Sequence, residues 1–277
     1  MIRIITDSAI DITPRLKERI RQVPLTVSFG DQEYLDGVDL SKDEFYTRLS
    51  DSELLPVTSQ APPARFMEVF EEVEKAGDSA VVLTVSSKLS GTYQSACIAA
   101  AEFDNIRVVD TLNVAMGGGI LAEYAQQLAD QGMGLDEIAQ AVEKKKEDVC
   151  LVAMLDTLKY LEKGGRISKL AAFAGGMLNV KPAIAVEEGT VAVLGKVRGS
   201  KNANNYLIKK VSEVGVDYNM PVLLAYSGVS DSLLQKYIDD SKQLWENKVE
   251  PLESVQICTV VGTHVGPGAV GVAFFRA

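Results

Sequence analysis

Short apolar runs alternate along this chain with longer amphipathic segments. Four β-branched runs, each bounded by polar residues or glycine, predict buried strands over residues 2–5, 79–85, 106–109 and 150–155. Helices are predicted over 62–76, 90–103, 115–131 and 135–146, and an earlier one begins at a capping box formed by Ser41 and Glu44. This alternation predicts a parallel sheet with helices on both of its faces.

The pattern changes after the polar, lysine-rich stretch 143–148, where we predict a boundary between domains 1–147 and 148–277. Runs 180–186 and 190–197 flank a Glu-Glu-Gly turn, which is typical of two antiparallel strands. Further elements are predicted: helices over 202–214 and 231–245, and strands over 222–226, 255–261 and 269–275. The predicted fold is therefore α/β, with an N-terminal parallel sheet flanked by helices and a C-terminal α+β domain with a mixed sheet.

Composition narrows the function. The chain is 47% hydrophobic and 24% charged, as in ordinary soluble proteins, and its net charge of −10 argues against nucleic-acid binding. Its three widely spaced cysteines form no disulfide framework or zinc motif, and no signal peptide is visible, so we expect a cytoplasmic protein. A single histidine, His264, excludes metal sites that need two imidazoles, and no metal is predicted.

Two glycine-rich patterns resemble nucleotide sites but fail in their context. Residues 266–271 match GxGxxG, yet the chain ends before a helix and an acidic residue could follow. Residues 189–196 resemble a phosphate-binding loop but have one residue too many, and valine stands where the magnesium ligand belongs. We therefore predict no nucleotide cofactor.

Hydroxyl and acidic residues follow several predicted strands, at 6–8, 58–60, 86–92, 110–111 and 156–157. Because the carboxyl ends of parallel strands share one edge, a ligand is expected there. Ser90, at the start of a predicted helix, either caps that helix or helps to bind an anion. His264, predicted to lie in a loop after a strand, either bonds a carbonyl or donates to an anionic ligand. Asp7 and Asp11 suggest a metal or phosphoaspartate site, but turn or capping roles are favoured.

The motifs together resemble the DegV family. They are TDSAID (6–11), TSQAPP (58–63), SSKLSGTYQSA (86–96), LDTLKYLEKGGRIS (155–168) and HVGPGAVG (264–271), in order and covering nearly the whole chain. The resemblance implies a two-domain α/β protein that binds a long-chain fatty acid as its ligand and has no other cofactor. Characterised members act as the FakB subunit of bacterial fatty-acid kinase and present the bound acid to the ATP-using subunit FakA.

The resemblance also implies a role for individual residues. The carboxylate would be bound by Thr58 and Ser90 with His264 nearby, and the surrounding motif adds Ser59, Gly91 and Thr92 to the predicted carboxylate site. Arg166 and Arg198 would dock the kinase subunit. If a carboxylate lies beside His264, it would make this side chain a cationic partner below pH 7.

Three functions stay open on the sequence. The first is a non-catalytic carrier that delivers a fatty acid to a kinase for acyl-phosphate formation and phospholipid synthesis. The second is an acyl hydrolase or transferase with Ser90 as nucleophile, although Ser90 lacks the GxSxG context. The third is a lipid sensor without a kinase partner. No nucleic-acid partner is expected, and a transient membrane contact is left open.

Overall fold

The computed structural model describes residues 1–52, 55–167 and 180–277. Its first half contains strands β1 (Ile2–Asp7), β2 (Arg21–Val23), β3 (Thr26–Phe29), β4 (Gln32–Leu35), β5 (Val57–Ser59), β6 (Ser79–Thr84) and β7 (Ile106–Asp110). The helices there are α1 (Lys42–Asp51), α2 (Pro63–Lys75), α3 (Thr92–Ala100), α4 (Ala115–Asp130) and α5 (Leu135–Lys145).

The second half contains strands β8 (Val149–Met154), β9 (Val180–Glu187), β10 (Thr190–Arg198), β11 (Leu223–Tyr226), β12 (Glu253–Gln256) and β13 (Val270–Phe275). Its helices are α6 (Lys159–Lys163), α7 (Ser200–Val214), α8 (Ser232–Asp240), α9 (Lys242–Trp245) and α10 (Thr259–Val265). Ser168, the last residue of the LDTLKYLEKGGRIS motif, lies outside the described residues.

The first half forms a four-stranded sheet in the order β2-β1-β6-β7, and all of its strand pairs are parallel. Helix α2 buries the apolar face that its sequence predicts, with Phe66, Val69, Phe70 and Val73 turned inward. Helix α1 begins at the predicted cap, where the Ser41 side chain accepts a hydrogen bond of 3.2 Å from the backbone N–H of Glu44. The predicted parallel sheet with flanking helices is confirmed.

The second half forms a six-stranded mixed sheet in the order β10-β9-β8-β13-β11-β12. Its predicted hairpin is confirmed, since β9 and β10 pair antiparallel around a turn in which Glu188 and Gly189 have positive φ angles of 48° and 80°. Strands β11 and β12 pair in parallel, whereas β13 runs antiparallel to both β8 and β11. The predicted mixed sheet is therefore confirmed.

A third sheet is absent from the sequence prediction. Strands β4, β3 and β5 form a small antiparallel sheet, in which Val27 pairs with Thr58. These strands are only three or four residues long, so their hydrophobic alternation is too brief to be recognised. This sheet determines where Thr58 lies.

The predicted strand over 255–261 is wrong beyond its first residues. Strand β12 ends at Gln256, and helix α10 follows from Thr259 to Val265. The β-branched run favours a strand locally, but buried acceptors from the N-terminal half bind the N–H groups at residues 258 and 259 and stabilise the start of a helix. His264 consequently lies in the last turn of a helix rather than in a loop.

Two other predicted helices differ in their bounds. Helix α3 begins at Thr92 instead of residue 90, so Ser90 precedes the helix. The predicted helix 231–245 is divided into α8 and α9 at Ser241, whose hydroxyl bonds the carbonyl of Tyr237 and the indole N–H of Trp245. The helix break therefore coincides with a buried side-chain cap.

The two halves share a continuous hydrophobic core. Helix α4 packs on β1 and also on β8, β11 and β13 of the mixed sheet. Its close approach depends on glycine, because a Cβ at Gly119 would collide with the backbone carbonyl of Asp11. The parallel sheet contains β7 and the mixed sheet begins with β8, as predicted. The hydrophobic core nevertheless continues from one half into the other, and the division into domains 1–147 and 148–277 stays a prediction.

Candidate functional site

A cavity lies where the edge of the parallel sheet meets the mixed sheet. Ala9 and Val85 bound it after strands β1 and β6, and Val114, Ala115 and Met116 bound it at the start of α4. The space between its walls is about 870 Å³ and includes part of its opening to solvent. The expected ligand position at the carboxyl ends of the strands therefore coincides with a cavity.

Most of the cavity wall is apolar. Strands β8, β9 and β10 contribute Leu151, Ala153, Ile184, Val186 and Val191, which face inward from the mixed sheet. Helix α10 adds two valines that precede its histidine and one that follows it. A flexible hydrocarbon chain gains free energy from burial against such a wall because apolar surface leaves water.

The polar side chains of the wall are few, and two of them are bonded to each other. Among the described residues the polar members are Thr58, Ser59, Gln60, Ser90, Arg166 and His264. The Nε2 atom of His264 lies 2.9 Å from the Oγ1 atom of Thr58. Strand β5 and helix α10 thus place the predicted Thr58 and His264 together in the cavity.

The environment of His264 determines which ring nitrogen carries the proton. The Nδ1 atom is buried, faces Gly164 and has no hydrogen-bond partner among the residues that the structure describes. We assign the proton to Nε2, where it donates to Thr58 Oγ1, because a proton on Nδ1 would be a buried unpaired donor. In the part of the chain that the structure describes, the hydroxyl hydrogen of Thr58 then has no side-chain acceptor.

His264 is neutral in this environment. Burial and, to a smaller extent, the positive charge of Arg166 together lower the pKa of its imidazole from 6.5 to about 4. The sequence predicts a cationic histidine below pH 7 only beside a carboxylate, and this stays a prediction for the protein with a bound anionic ligand.

Ser90 is held at the cavity wall by the start of α3. Its hydroxyl oxygen accepts from the backbone N–H of Thr92 at 3.3 Å and lies 2.9 Å from the Thr92 hydroxyl. When Thr92 donates in the second bond, the hydrogen of Ser90 is free for a ligand. Ser90 therefore contacts the first residue of α3 from one position before the helix cap, and its predicted role in binding an anion stays a prediction.

Gly91 and Thr92 support Ser90 without lining the cavity, whereas Ser59 lines it. The side-chain amide of Gln60 covers Gly91, where a Cβ would collide with it, and donates to the Ser95 hydroxyl at 2.8 Å. Gln60 is therefore a wall residue that was missing from the predicted site. Its place in the TSQ motif, directly after two predicted site residues, was the available signal.

The two arginines occupy different environments. Arg166 is half-buried in the cavity wall, where its Nε donates to the Leu89 carbonyl at 3.1 Å and its Nη1 to the Gly164 carbonyl at 2.7 Å. Burial lowers the pKa of this guanidinium, yet arginine remains protonated at neutral pH. Arg198 is exposed at the end of β10 and outside the cavity wall. The structure therefore adds an unpredicted pocket position for Arg166.

Asp7, the acid at the end of β1, holds the backbone behind the cavity wall. Asp7 accepts from the backbone N–H groups of Ala9 at 2.9 Å and Val85 at 2.7 Å. Both donors belong to cavity-lining residues, so Asp7 shapes the wall from behind. Burial raises the pKa of Asp7 from 3.8 to about 7. Within residues 1–52, 55–167 and 180–277, no group of three or more histidine, cysteine or acidic residues could bind a metal ion.

Comparison with known proteins places this architecture in a family. A model of the DegV family, described as uncharacterised proteins, matches residues 1–277. A DegV domain-containing protein of Caldanaerobacter subterraneus is 36% identical over 279 residues, which cover 99% of this chain and 98% of the relative.

Solved structures agree with this match. A DegV family protein of Thermus thermophilus, described by its fatty-acid binding, has a TM-score of 0.88 at 29% identity and covers 100% of this chain and 99% of its own. A stearic-acid-binding protein of Eubacterium ventriosum has a TM-score of 0.85 at 27% identity, covering 100% and 98%. Because both the family model and the relative span nearly the entire sequence, this chain belongs to the DegV family.

Proposed function

We propose that this protein binds one long-chain fatty acid, with its hydrocarbon tail in the apolar cavity and its carboxylate at the polar residues of the wall. The observation that carries the proposal is the bond between His264 and Thr58 in the wall of an apolar cavity, since a histidine that donates to Thr58 leaves the threonine hydroxyl hydrogen available to a ligand. The fatty-acid binding of the Thermus and Eubacterium proteins supports the same ligand class.

The energetics favour an acid with a long chain. Burying about fifteen methylene groups contributes on the order of 12 kcal/mol before the costs of binding, at about 0.8 kcal/mol each. An unpaired buried carboxylate would cost several kcal/mol, so the head group needs donors. Thr58 and Ser90 supply them, and the nearby charge of Arg166 makes the potential favourable for an anion.

The contacts support a carrier more than an acyl-transferring enzyme. A serine nucleophile requires a base within hydrogen-bond distance. In the part of the chain that the structure describes, the hydroxyl partner of Ser90 is Thr92, whereas His264 bonds Thr58. The function we propose is therefore non-catalytic: the protein would present its bound carboxylate to an ATP-using kinase subunit for acyl-phosphate formation.

Two arginines are proposed to contribute to kinase docking. Arg198 is exposed in a chain of net charge −10, and an exposed guanidinium can pair with acidic groups of a partner. Arg166, which also lines the cavity, would contact both the partner's surface and the carboxylate of the ligand.

No helix in the described ranges is long and apolar enough to cross a membrane.

Native mass spectrometry of the purified protein tests the binding function. We expect about one fatty acid per chain, identified after release, and uptake of palmitate or oleate by delipidated protein. An empty protein that takes up neither acid would overturn the proposal. Incubation with a cognate kinase subunit and ATP then separates a carrier, which supports acyl-phosphate formation, from a lipid sensor, which does not.

A further inference from the structure

The segment that carries His264 enters the cavity from a buried cluster of charged residues. Between the end of β12 and the end of α10, five residues line the cavity: Ile257, Val260, Val261, His264 and Val265. The N-terminal end of this segment is held by side chains more than two hundred positions earlier in the sequence. None of these side chains lines the cavity, so their effect on a ligand would be indirect.

Asp36 makes the most extensive contact with the helix start. Its Oδ1 atom accepts from the backbone N–H of Thr259 at 3.1 Å and from the Thr259 hydroxyl at 2.6 Å. The side chain is almost completely buried, with 3% of its surface exposed. One carboxylate oxygen thus binds both the main chain and the side chain of the first residue of α10.

Asp11 and Lys42 hold the residues just before the helix. Asp11 Oδ2 accepts from the backbone N–H of Cys258 at 3.3 Å, and Asp11 Oδ1 lies 2.9 Å from Lys42 Nζ. The same ammonium group donates to the Gln256 carbonyl. Lys42 therefore partly compensates the two buried carboxylates and also holds the chain that leads into α10.

The length of α10 explains why these contacts matter. The helix has only seven residues, and a helix this short does not keep its position through its own backbone bonds. His264 follows Thr259 by five residues, which is about 1.4 helical turns. A displacement or fraying of the helix start would therefore reach the imidazole and change its bond with Thr58.

We propose that Asp36, assisted by Asp11 and Lys42, is a positioning residue that holds helix α10 so that His264 Nε2 donates to Thr58 Oγ1. This inference rests on the proposed function for its consequence, because the hydroxyl of Thr58 would then point its hydrogen at the fatty-acid carboxylate. Asp36 does not contact the ligand in this arrangement. Asp36 would therefore affect the affinity for the carboxylate group of the ligand, through His264 and Thr58, and not the affinity for its hydrocarbon tail.

The single histidine of the chain allows a direct test by ¹⁵N NMR of the imidazole. In the parent protein we expect one neutral, Nε2-protonated tautomer. Asp36→Ala should replace it with a mixture of tautomers that titrates closer to pH 6.5, whereas Asp36→Asn, which retains an acceptor oxygen, should preserve much of the parent signal. Asp78→Asn is the matched control, because the Asp78 carboxylate binds the N-terminal amine and Arg3 instead of α10. Parent-like imidazole signals in Asp36→Ala would overturn the inference.

A binding measurement tests the functional consequence. We compare the affinities for palmitate and hexadecanol, and expect Asp36→Ala to lower their ratio by about tenfold, the equivalent of about 1.4 kcal/mol. Loss of thermal stability with an unchanged ratio and unchanged imidazole signals would show a merely structural role. If Asp36→Ala does not fold, Thr259→Val and Thr259→Ser provide the same test, with serine expected to restore the parent behaviour.

These readouts separate the two proposals. If the parent protein binds no fatty acid, the proposed function fails, but the imidazole signals still report whether Asp36 positions His264. If palmitate binds and the imidazole signals do not depend on Asp36 or Thr259, the positioning inference fails and fatty-acid binding stands.

Discussion

His264 Nε2 lies 2.9 Å from Thr58 Oγ1, although the two residues are 206 positions apart in the sequence. Thr58 belongs to the small antiparallel sheet and His264 to a short helix after β12. Their bond joins these two elements at the wall of the apolar cavity. A neutral imidazole that donates to the threonine leaves the threonine hydroxyl as the donor that a carboxylate would meet.

Removal of the hydroxyl donors is expected to weaken binding of the acid. Thr58→Val and Ser90→Ala should each reduce the affinity for palmitate by about 1.5–3 kcal/mol, because each removes a hydrogen bond to a buried charged group. Isothermal titration of delipidated protein measures this loss. The affinity for hexadecanol, which carries no charge, should fall less in the same variants than the affinity for palmitate does.

Thr58→Ser is the matched control for the first position, since it retains the hydroxyl and should bind palmitate nearly as the parent protein does. Equal palmitate affinity in the parent, Thr58→Val and Ser90→Ala proteins would place the carboxylate elsewhere.

Asp7 and His264 should give opposite pH dependences of stability. The pKa of Asp7 is about 7 in the folded protein against 3.8 ordinarily, so the folded state binds a proton that the unfolded state has lost, and the Asp7 contribution falls as pH rises from about 4 to 7. The pKa of His264 is about 4 in the folded protein against 6.5 ordinarily, so its contribution rises with pH over about 4 to 6.5.

Urea unfolding of the ligand-free protein at several pH values tests these signs. Between pH 4 and 6.5, the free energy of unfolding of Asp7→Asn should rise more steeply with pH than that of the parent protein. That of His264→Gln should rise less steeply than that of the parent over the same range. Each slope difference has an upper limit of about 1.4 kcal/mol per pH unit. Asp31→Asn, at an exposed position, is the control and should follow the parent curve. Parallel curves for all four proteins would contradict both assignments.

The tail of the ligand is expected to respond to the width of the cavity. Val191 on β10 lines the cavity, whereas the neighbouring Ala192 does not, because successive side chains of a strand point to opposite faces. Val191→Phe should therefore shift the bound fatty acids towards shorter chains, as measured by mass spectrometry of released lipids. Ala192→Phe should leave the chain-length distribution unchanged in the folded protein. The same distribution in Val191→Phe and the parent would show that the tail lies elsewhere.

Arg198 and Arg166 should differ in a kinase assay. Arg198→Ala should leave palmitate binding unchanged, because its side chain is exposed outside the cavity. It should slow acyl-phosphate formation by an amount that corresponds to about 2 kcal/mol or more of lost binding free energy, as for an interface hot spot. Arg166→Ala should lower both palmitate affinity and acyl-phosphate formation, because this guanidinium lines the cavity.

The rates are compared with a cognate kinase subunit at equal amounts of bound lipid. Charge reversal to glutamate should reduce them further, and added salt should weaken the parent complex. Arg21→Ala, another exposed arginine, is the matched control and should behave as the parent does. Equal rates for the parent and Arg198→Ala would exclude this side chain from the docking surface.

The sequence by itself determined the elements whose local pattern is strong. The β-branched runs of β1, β6, β7 and β8 and the amphipathic face of α2 are visible in the order of residues, because strand and helix periodicities differ. The family motifs likewise pointed to Thr58, Ser59, Ser90 and His264, and all four line one cavity.

Only the tertiary structure decided the environment of those residues. The run at 255–261 has the local pattern of a strand, but Asp36 and Asp11 bind its backbone donors and a helix begins at Thr259. Burial makes His264 neutral, and the fold turns Arg166 into the cavity wall. Such outcomes depend on contacts between residues far apart in the sequence and on exclusion of water, and the local order of hydrophobic and polar residues determines neither.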